Sequence, residues 1–355
     1  MTDCNAIISA LNEELFVLYS FTSGRFYISE YGIVNRLNER GHGNRDVIKL
    51  ETEELLTIEQ QSIDSDKLDV DLFTSPLVVG IMVTNKCNLK CKYCIARQAS
   101  SYSDSDRFDK YFHKLCSEIA SSQILSVMLS GGEPTLNANL PQIIQRISND
   151  HYLCLLDTNG TNLSNELICA INDTTIIPRI SLDSIDPQVN NSCRGATDIV
   201  LNNIRLLLRN NIYPRINTVL TAANIDCVDS LAEWLISNGI KKWHIFKLQS
   251  LFAPEWLWIT DESFVKTINR LREKYGEQID ILSKYGQEKD KYASFVIDAE
   301  GNCFSTNNLS QSCSKKTIFG NLESKTLYEI WNNCPPNYKR RHYKKYIYVS
   351  NEKRI

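Results

Sequence analysis

No stretch of this sequence is long and apolar enough to cross a bilayer, and the segment from Met1 to Phe16 has no basic region followed by an apolar run and a small-residue cleavage site. Neither a membrane span nor a secretory signal is therefore expected, and the expected location is cytoplasmic. An excess of one charge is missing too. The 39 Lys and Arg residues stand against 42 Asp and Glu, a formal net charge of -3. That balance gives no global electrostatic reason to expect nucleic acid as a partner, while saying nothing about fold. What the 355 residues do allow is a large core, read here as one substantial catalytic domain with smaller additions.

Twelve cysteines are present. In a secreted chain they would suggest disulfides, but in a reducing compartment clustered thiols point to metal binding or catalysis. Cys4, Cys116, Cys154, Cys169 and Cys227 stand alone and read as small buried apolar residues. Only Cys87, Cys91 and Cys94 form a tight cluster.

Ahead of that cluster, Glu14 to Tyr19 and Arg25 to Ser29 read as two short strands joined by a Thr22-Ser23-Gly24 turn, with a helix through Ile33 to Leu37 after them. The stretch from Glu51 to Asp71 is acidic with little apolar periodicity, and Pro76 precedes a strongly apolar run, which puts a boundary near Ser75. Residues 1–75 thus read as a small N-terminal module, 76–290 as the core, and 291–355 as an extension with a basic tail. In the core, apolar runs fall at Leu77 to Thr84, Leu125 to Ser130, Tyr152 to Asp157, Ile177 to Leu182, Pro214 to Leu220 and Trp243 to Leu248. Amphipathic segments intervene at Phe108 to Ser121, Leu140 to Ser148, Ile199 to Asn210 and Asp229 to Asn238. Repeated strand-helix units with right-handed crossovers predict an α/β fold whose parallel sheet curls into a full or partial barrel. Chemistry in such barrels sits at the carboxyl ends of the strands, and the unusual residues of this sequence follow predicted strand ends.

The three clustered cysteines follow the first barrel strand, with no fourth ligand nearby. A structural zinc site normally closes with four ligands, whereas an iron-sulfur cube can use thiolates on three irons and leave the fourth open. By spacing alone both remain open, the zinc reading needing a distant ligand such as Cys116 or His113.

Cys, three residues, Cys, two residues, Cys, with an aromatic before the last cysteine, is the core motif of the radical S-adenosylmethionine superfamily, and Cys87, Cys91, Tyr93 and Cys94 match it. The sequence resembles that family from about Leu77 to Leu251, where several motifs follow in order. The resemblance implies a partial (β/α)6, TIM-like barrel and a [4Fe-4S] cluster on Cys87, Cys91 and Cys94. It also implies S-adenosyl-L-methionine chelated at the open iron, and a reductant such as flavodoxin or ferredoxin whose electron leads to a 5′-deoxyadenosyl radical. The protein would supply position, exclusion of water and control of the radical.

Further motifs carry the resemblance. Gly131, Gly132, Glu133 and Pro134 follow the second strand; adjacent glycines let backbone approach a ligand closely, and the family motif runs beside the methionyl moiety. Ser181 and Asp183 alternate onto one face of the fourth strand. A carboxylate can accept from both ribose hydroxyls, which is the region the resemblance assigns to this pair; Asp183 is equally a candidate helix N-cap. Arg194, in Cys193-Arg194-Gly195, resembles the arginine that binds the methionyl carboxylate, and Arg215 is the alternative for that role. The Thr158-Asn159-Gly160 turn resembles another wall of the pocket, and Lys247 and Gln249 share a face toward the substrate side.

The segment from Phe295 to Thr306, continuing through Phe319 to Trp331, resembles the SPASM or twitch extension, which often carries auxiliary iron-sulfur clusters. The match breaks where ligands are needed, since Thr306 stands at the usual cluster cysteine and the later paired cysteines are missing. Cys303, Cys313 and Cys334 are candidates for a rearranged second cluster, but a degenerate extension without one is the expectation. The run from Tyr338 to Tyr346 alternates cations and aromatics, read as a solvated terminal helix or tail, or else as a grip for an acidic peptide or nucleic acid. The N-terminal hairpin and helix loosely resemble peptide-recognition elements that add a peptide strand to a sheet edge, the alternative being a structural cap. The leading expectation is hydrogen abstraction from a ribosomally made precursor peptide. A small-molecule substrate and a non-catalytic metal-binding regulatory protein are the alternatives.

Overall fold

The computed structural model describes residues 73–94, 108–148, 153–248, 253–284, 294–306 and 316–346, together with four strands between residues 6 and 48. These four are β1 (Ala6–Ala10), β2 (Leu15–Ser20), β3 (Arg25–Glu30) and β4 (Asp46–Ile48), an antiparallel sheet in the order β3-β2-β1-β4. The expected hairpin is β2 and β3, while β1 and β4 extend it on one side. The helix expected at Ile33 to Leu37 lies outside the described residues.

The core is built on β5 (Val78–Met82), α1 (Phe108–Ala120), β6 (Ser126–Ser130), α2 (Leu140–Ser148), β7 (Leu153–Thr158), α3 (Asn165–Asn172) and β8 (Ile177–Ser181). It continues with α4 (Pro187–Cys193), α5 (Thr197–Arg209), β9 (Arg215–Leu220), α6 (Val228–Ser237), β10 (Lys242–Lys247), α7 (Asp261–Tyr275) and β11 (Asp280–Lys284). Neighbouring strands from β5 to β11 all pair in parallel, in chain order. This is the partial, TIM-like α/β barrel expected from the sequence, with β11 added to the six expected strands.

Alternation along the strands separates two faces. In β8 and β9, Pro178, Ile180, Ile216, Thr218 and Leu220 are buried outward, while Arg179, Ser181, Arg215, Asn217 and Val219 are only half-buried on the inner face. Helices cover the outer face through stripes at helical spacing, as Phe108, Tyr111, Phe112, Leu115, Cys116 and Ile119 do in α1. The indole of Trp243 is fully buried in that layer, its Nε1–H donating to Thr218 Oγ1 at 2.8 Å.

The C-terminal extension shares the same sheet. β12 (Phe295–Ile297) pairs in parallel with β5, and β13 (Asn302–Thr306) and β14 (Lys316–Asn321) follow antiparallel. α8 (Leu327–Asn332) and α9 (Pro336–Tyr346) complete the chain. In α9 the run from Tyr338 to Tyr346 forms the terminal helix that was one of its readings, but the aromatic face of that helix is packed rather than solvated. Its Tyr338, His342 and Tyr343 are buried, His342 Nε2 accepts from Leu77 N–H at 3.2 Å, and Tyr343 stacks on Phe73 with ring centroids 3.8 Å apart. Aromatics spaced four and five residues apart fall on one helical face, so the apolar contacts outweigh the basic composition. Among the described residues, no helix is long and apolar enough to cross a membrane.

Candidate active site

The cysteine loop leaves β5 at the carboxyl end of the sheet and lies on the turn after β6. Gly132 N–H donates to Thr84 O at 2.9 Å and Glu133 N–H to Lys86 O at 2.7 Å. The approach is so close that a Cβ on Gly131 would sit 2.3 Å from Thr84 O, and one on Gly132 would sit 2.2 Å from Lys86 O. Gly131 also has a φ of 146°. The glycine pair is therefore required by the backbone of the cysteine loop itself, a reason that the sequence reading, which looked to a ligand, did not contain.

Glu133 fixes the next layer. Its carboxylate is buried and accepts from Thr135 N–H (3.1 Å), Thr135 Oγ1 (2.7 Å), Thr158 Oγ1 (2.5 Å) and Asn159 N–H (2.7 Å). Burial nevertheless pushes its pKa up. Pro134 follows as the first residue of a short 3-10 turn, Pro134 to Leu136. The Thr158-Asn159-Gly160 turn thus meets the glycine turn through Glu133, and it meets the cysteine loop through Asn88, whose Oδ1 accepts from Asn159 Nδ2 at 2.9 Å and whose Nδ2 donates to Thr161 Oγ1 at 2.8 Å.

Cys87, Cys91 and Cys94 are all half-buried, and Cys94 N–H donates to Cys91 O at 3.3 Å. Burial raises the Cys91 thiol; the Arg194 charge lowers it, and the neighbouring Cys94 and Cys87 raise it again. The three thiols are therefore electrostatic neighbours. Among the described residues, no three His, Cys, Asp or Glu side chains converge as a single metal ion would need. Three clustered thiols with no fourth ligand beside them among those residues fit a cube whose thiolates bind separate irons and leave one iron open. Cys116, a distant zinc ligand in the other reading, is buried in the main apolar core.

Asp183 is the hub of the opposite wall. Its Oδ1 accepts from Val219 N–H at 2.9 Å, and its Oδ2 takes the Tyr93 hydroxyl and lies 2.9 Å from Arg194 Nε, a contact set by charge rather than by hydrogen-bond direction. Burial disfavours the Arg194 charge, but the Asp183 carboxylate outweighs it and the guanidinium is held firmly protonated. Arg194 also lies over the Tyr93 ring, 5.2 Å from its centroid. Asp183 is 2% exposed, and its two oxygens take Tyr93, Arg194 and the Val219 N–H. Its reading as a helix N-cap is corrected: the cap of α4 is Asp186. Ser181 stays half-buried on the inner face.

The two candidate arginines are separated. Arg194 caps the end of α4 beside the cysteine loop, whose Lys92 N–H donates to Cys193 O at 3.0 Å, whereas Arg215 opens β9 at the far end of its strand from the mouth. Lys247 is paired with Asp261, and Gln249 lies outside the described residues. An Asp157–Arg179 ion pair on the inner face, with Asn217 Nδ2 3.4 Å from Asp157 Oδ1, was missed. Its signal was present as charges at inward positions of otherwise apolar strands. Cys303 and Cys334 are buried in the apolar core, and burial pushes both thiols up, Cys334 to about 12. Cys313 lies outside the described residues.

A sequence model of the Radical SAM superfamily matches residues 81–235. Uncharacterized protein MJ0907 of Methanocaldococcus jannaschii is 30% identical over 229 residues, 60% of this chain and 76% of that protein. The probable GTP 3',8-cyclase of Sulfurisphaera tokodaii is 26% identical over 223 residues, 61% of this chain and 70% of that protein. Among solved structures, Streptococcus suis SuiB bound to precursor peptide SuiA superposes with a TM-score of 0.71 at 15% identity, covering 92% of this chain and 87% of that chain. That last likeness is one of fold.

Proposed function

The chain belongs to the radical SAM superfamily of enzymes, and on that premise we propose that it abstracts hydrogen from a ribosomally made precursor peptide. Cys87, Cys91 and Cys94 would hold a [4Fe-4S] cluster that, with S-adenosyl-L-methionine and an electron from a flavodoxin or ferredoxin, supplies the 5′-deoxyadenosyl radical chemistry of the family. The chain's own contribution is position. Gly131, Gly132 and Glu133 fix the cysteine loop against β6 and β7. Asp183 holds Tyr93 and Arg194 in one buried group beside it. Arg194 is the guanidinium for the methionyl carboxylate, and Ser181 the inward hydroxyl for the ribose.

The observation that carries the peptide reading is the N-terminal antiparallel sheet, with β3 and β4 as its edges. Such an edge can take up an extended peptide as a further strand through main-chain hydrogen bonds. SuiB, a likeness of fold over most of this chain, is described as bound to a precursor peptide. The test is binding of a labelled peptide, encoded by a short reading frame beside the gene, to the full chain and to a form beginning at Ser75. Loss of binding with retained formation of 5′-deoxyadenosine is expected; unchanged affinity would remove the recognition role. A small-molecule substrate is favoured by the similarity to a probable GTP 3',8-cyclase, and GTP consumption by the full chain would decide for it.

A further inference from the structure

One row of charged side chains crosses the barrel sheet at a single register. Asp157 on β7 stands beside Arg179 on β8, and Arg179 beside Arg215 on β9. The pairing of Trp243 with Ile216 brings Lys242 on β10 next to Arg215, and Lys242 stands beside Asp280 on β11. The order along the row is acid, base, base, base, acid.

The two ends are matched and the centre is not. Arg179 is paired with Asp157, and Lys242 Nζ lies 3.8 Å from Asp280 Oδ2. Arg215 is half-buried between two cations and has no ion pair among the described residues. Burial and then the Arg215 charge pull the Lys242 ammonium below its ordinary pKa. Next to this centre, Arg179 Nε is buried without an acceptor among the described residues. Like charges on adjacent strands repel, and a buried donor without an acceptor is costly, so among the described residues the row lacks an anion that would relieve it.

We propose that Arg215, at the amino end of β9 away from the cysteine loop, with Arg179 Nε beside it, anchors a carboxylate of the substrate remote from the reacting carbon, supplied by an acidic side chain of the peptide. The charge decides the class. Three cations and two carboxylates leave the row at a net +1, which suits a single carboxylate; a nucleoside triphosphate would bring several negative charges against it. A guanidinium can bind a carboxylate by two parallel hydrogen bonds, which a lysine cannot reproduce. The inference rests on the peptide reading above and deepens it.

The test is equilibrium binding of two capped tripeptides, acetyl-Ala-Glu-Ala-amide and acetyl-Ala-Gln-Ala-amide, to the full-length protein, with GTP and S-adenosyl-L-methionine as further ligands. The wild type should prefer the glutamate peptide by about tenfold. Arg215→Gln should abolish that preference with an unchanged thermal midpoint, and Arg215→Lys should keep part of it. No preference in the wild type up to millimolar peptide, or a preference that survives Arg215→Gln, overturns the proposal. If precursor binding through the N-terminal module persists in that case, only the row has failed. GTP binding that Arg215→Gln abolishes would overturn the peptide reading as well. Loss of S-adenosyl-L-methionine binding in Arg215→Gln, with the peptide preference intact, would assign Arg215 to the cofactor instead.

Discussion

The hydroxyl of Tyr93 donates to the carboxylate of Asp183, ninety residues further along the chain. Through this bond the cysteine loop after β5 is tied to the end of β8, and Asp183 in turn holds Arg194 and the N–H of Val219 on β9. The loop therefore depends on strands at both sides of the barrel mouth. Burial and the neighbouring Asp183 keep the Tyr93 phenol protonated, as its donor role requires.

Removing either partner has a graded cost. Tyr93→Phe deletes one buried hydrogen bond and keeps the ring under Arg194, an expected loss of about 1–3 kcal/mol. Asp183→Asn leaves a buried guanidinium without its counter-charge and should cost about 3–5 kcal/mol. Denaturant unfolding measures both; an asparagine variant as stable as the wild type would mean that Arg194 does not depend on Asp183.

Gly132→Ala places a methyl group where Lys86 O stands, so the cysteine loop must leave the turn after β6. Iron retained after anaerobic reconstitution should fall to less than about half of the wild-type content, while the helical signal in circular dichroism is kept. Gly80→Ala is the control, because a Cβ there meets Val296 Cγ2 at an ordinary 3.5 Å. Equal iron in the two variants would contradict the docking role of the glycine pair.

Glu133 gives a pH signature. Its carboxyl is pushed up by burial, against hydrogen bonds from Thr158, Asn159 and Thr135 that pull it down. A carboxyl with a higher pKa in the folded chain binds its proton more tightly there, so this contribution to stability is complete below about pH 4 and declines as pH rises through the folded value. The stability of the wild type relative to Glu133→Gln should therefore fall as pH rises above about 4. A difference that stays constant or grows with pH would show that the hydrogen bonds win over burial.

The C-terminal helix is fastened by His342, which accepts from Leu77 N–H, and by Tyr338 and Tyr343, whose hydroxyls donate to Ser294 O and Ser75 O. His342→Phe keeps an aromatic ring beside Trp331 but leaves Leu77 N–H buried without its His342 acceptor, an expected loss of about 1–3 kcal/mol. No change in unfolding free energy would mean that the ring contacts and the Tyr338 and Tyr343 hydroxyls hold α9 without the His342 acceptor.

The core strands were legible because apolar runs and turn residues are local signals. β5 to β10 and the helices α1, α2, α5 and α6 lie within a few residues of their expected bounds. β11 was missed, being five residues with Asp280, Ser283 and Lys284 among them. α7 was missed although Phe264, Thr267, Ile268, Leu271 and Tyr275 carry its buried face at helical spacing. The site was legible as motifs, not as contacts. Tyr93 meeting Asp183, and Arg179 standing beside Arg215, depend on loop path and inter-strand register, which no local pattern contains.

The central claim is that Cys87, Cys91 and Cys94 hold the chain's one iron-sulfur cluster, and iron quantification after anaerobic reconstitution tests it most directly. The wild type and a Cys303→Ala, Cys334→Ala variant should both bind about four irons per chain, and the Cys87→Ala, Cys91→Ala, Cys94→Ala variant should bind about none. Iron content undiminished in the triple variant, or about eight irons in the wild type falling to about four when Cys303 and Cys334 are replaced, would contradict it.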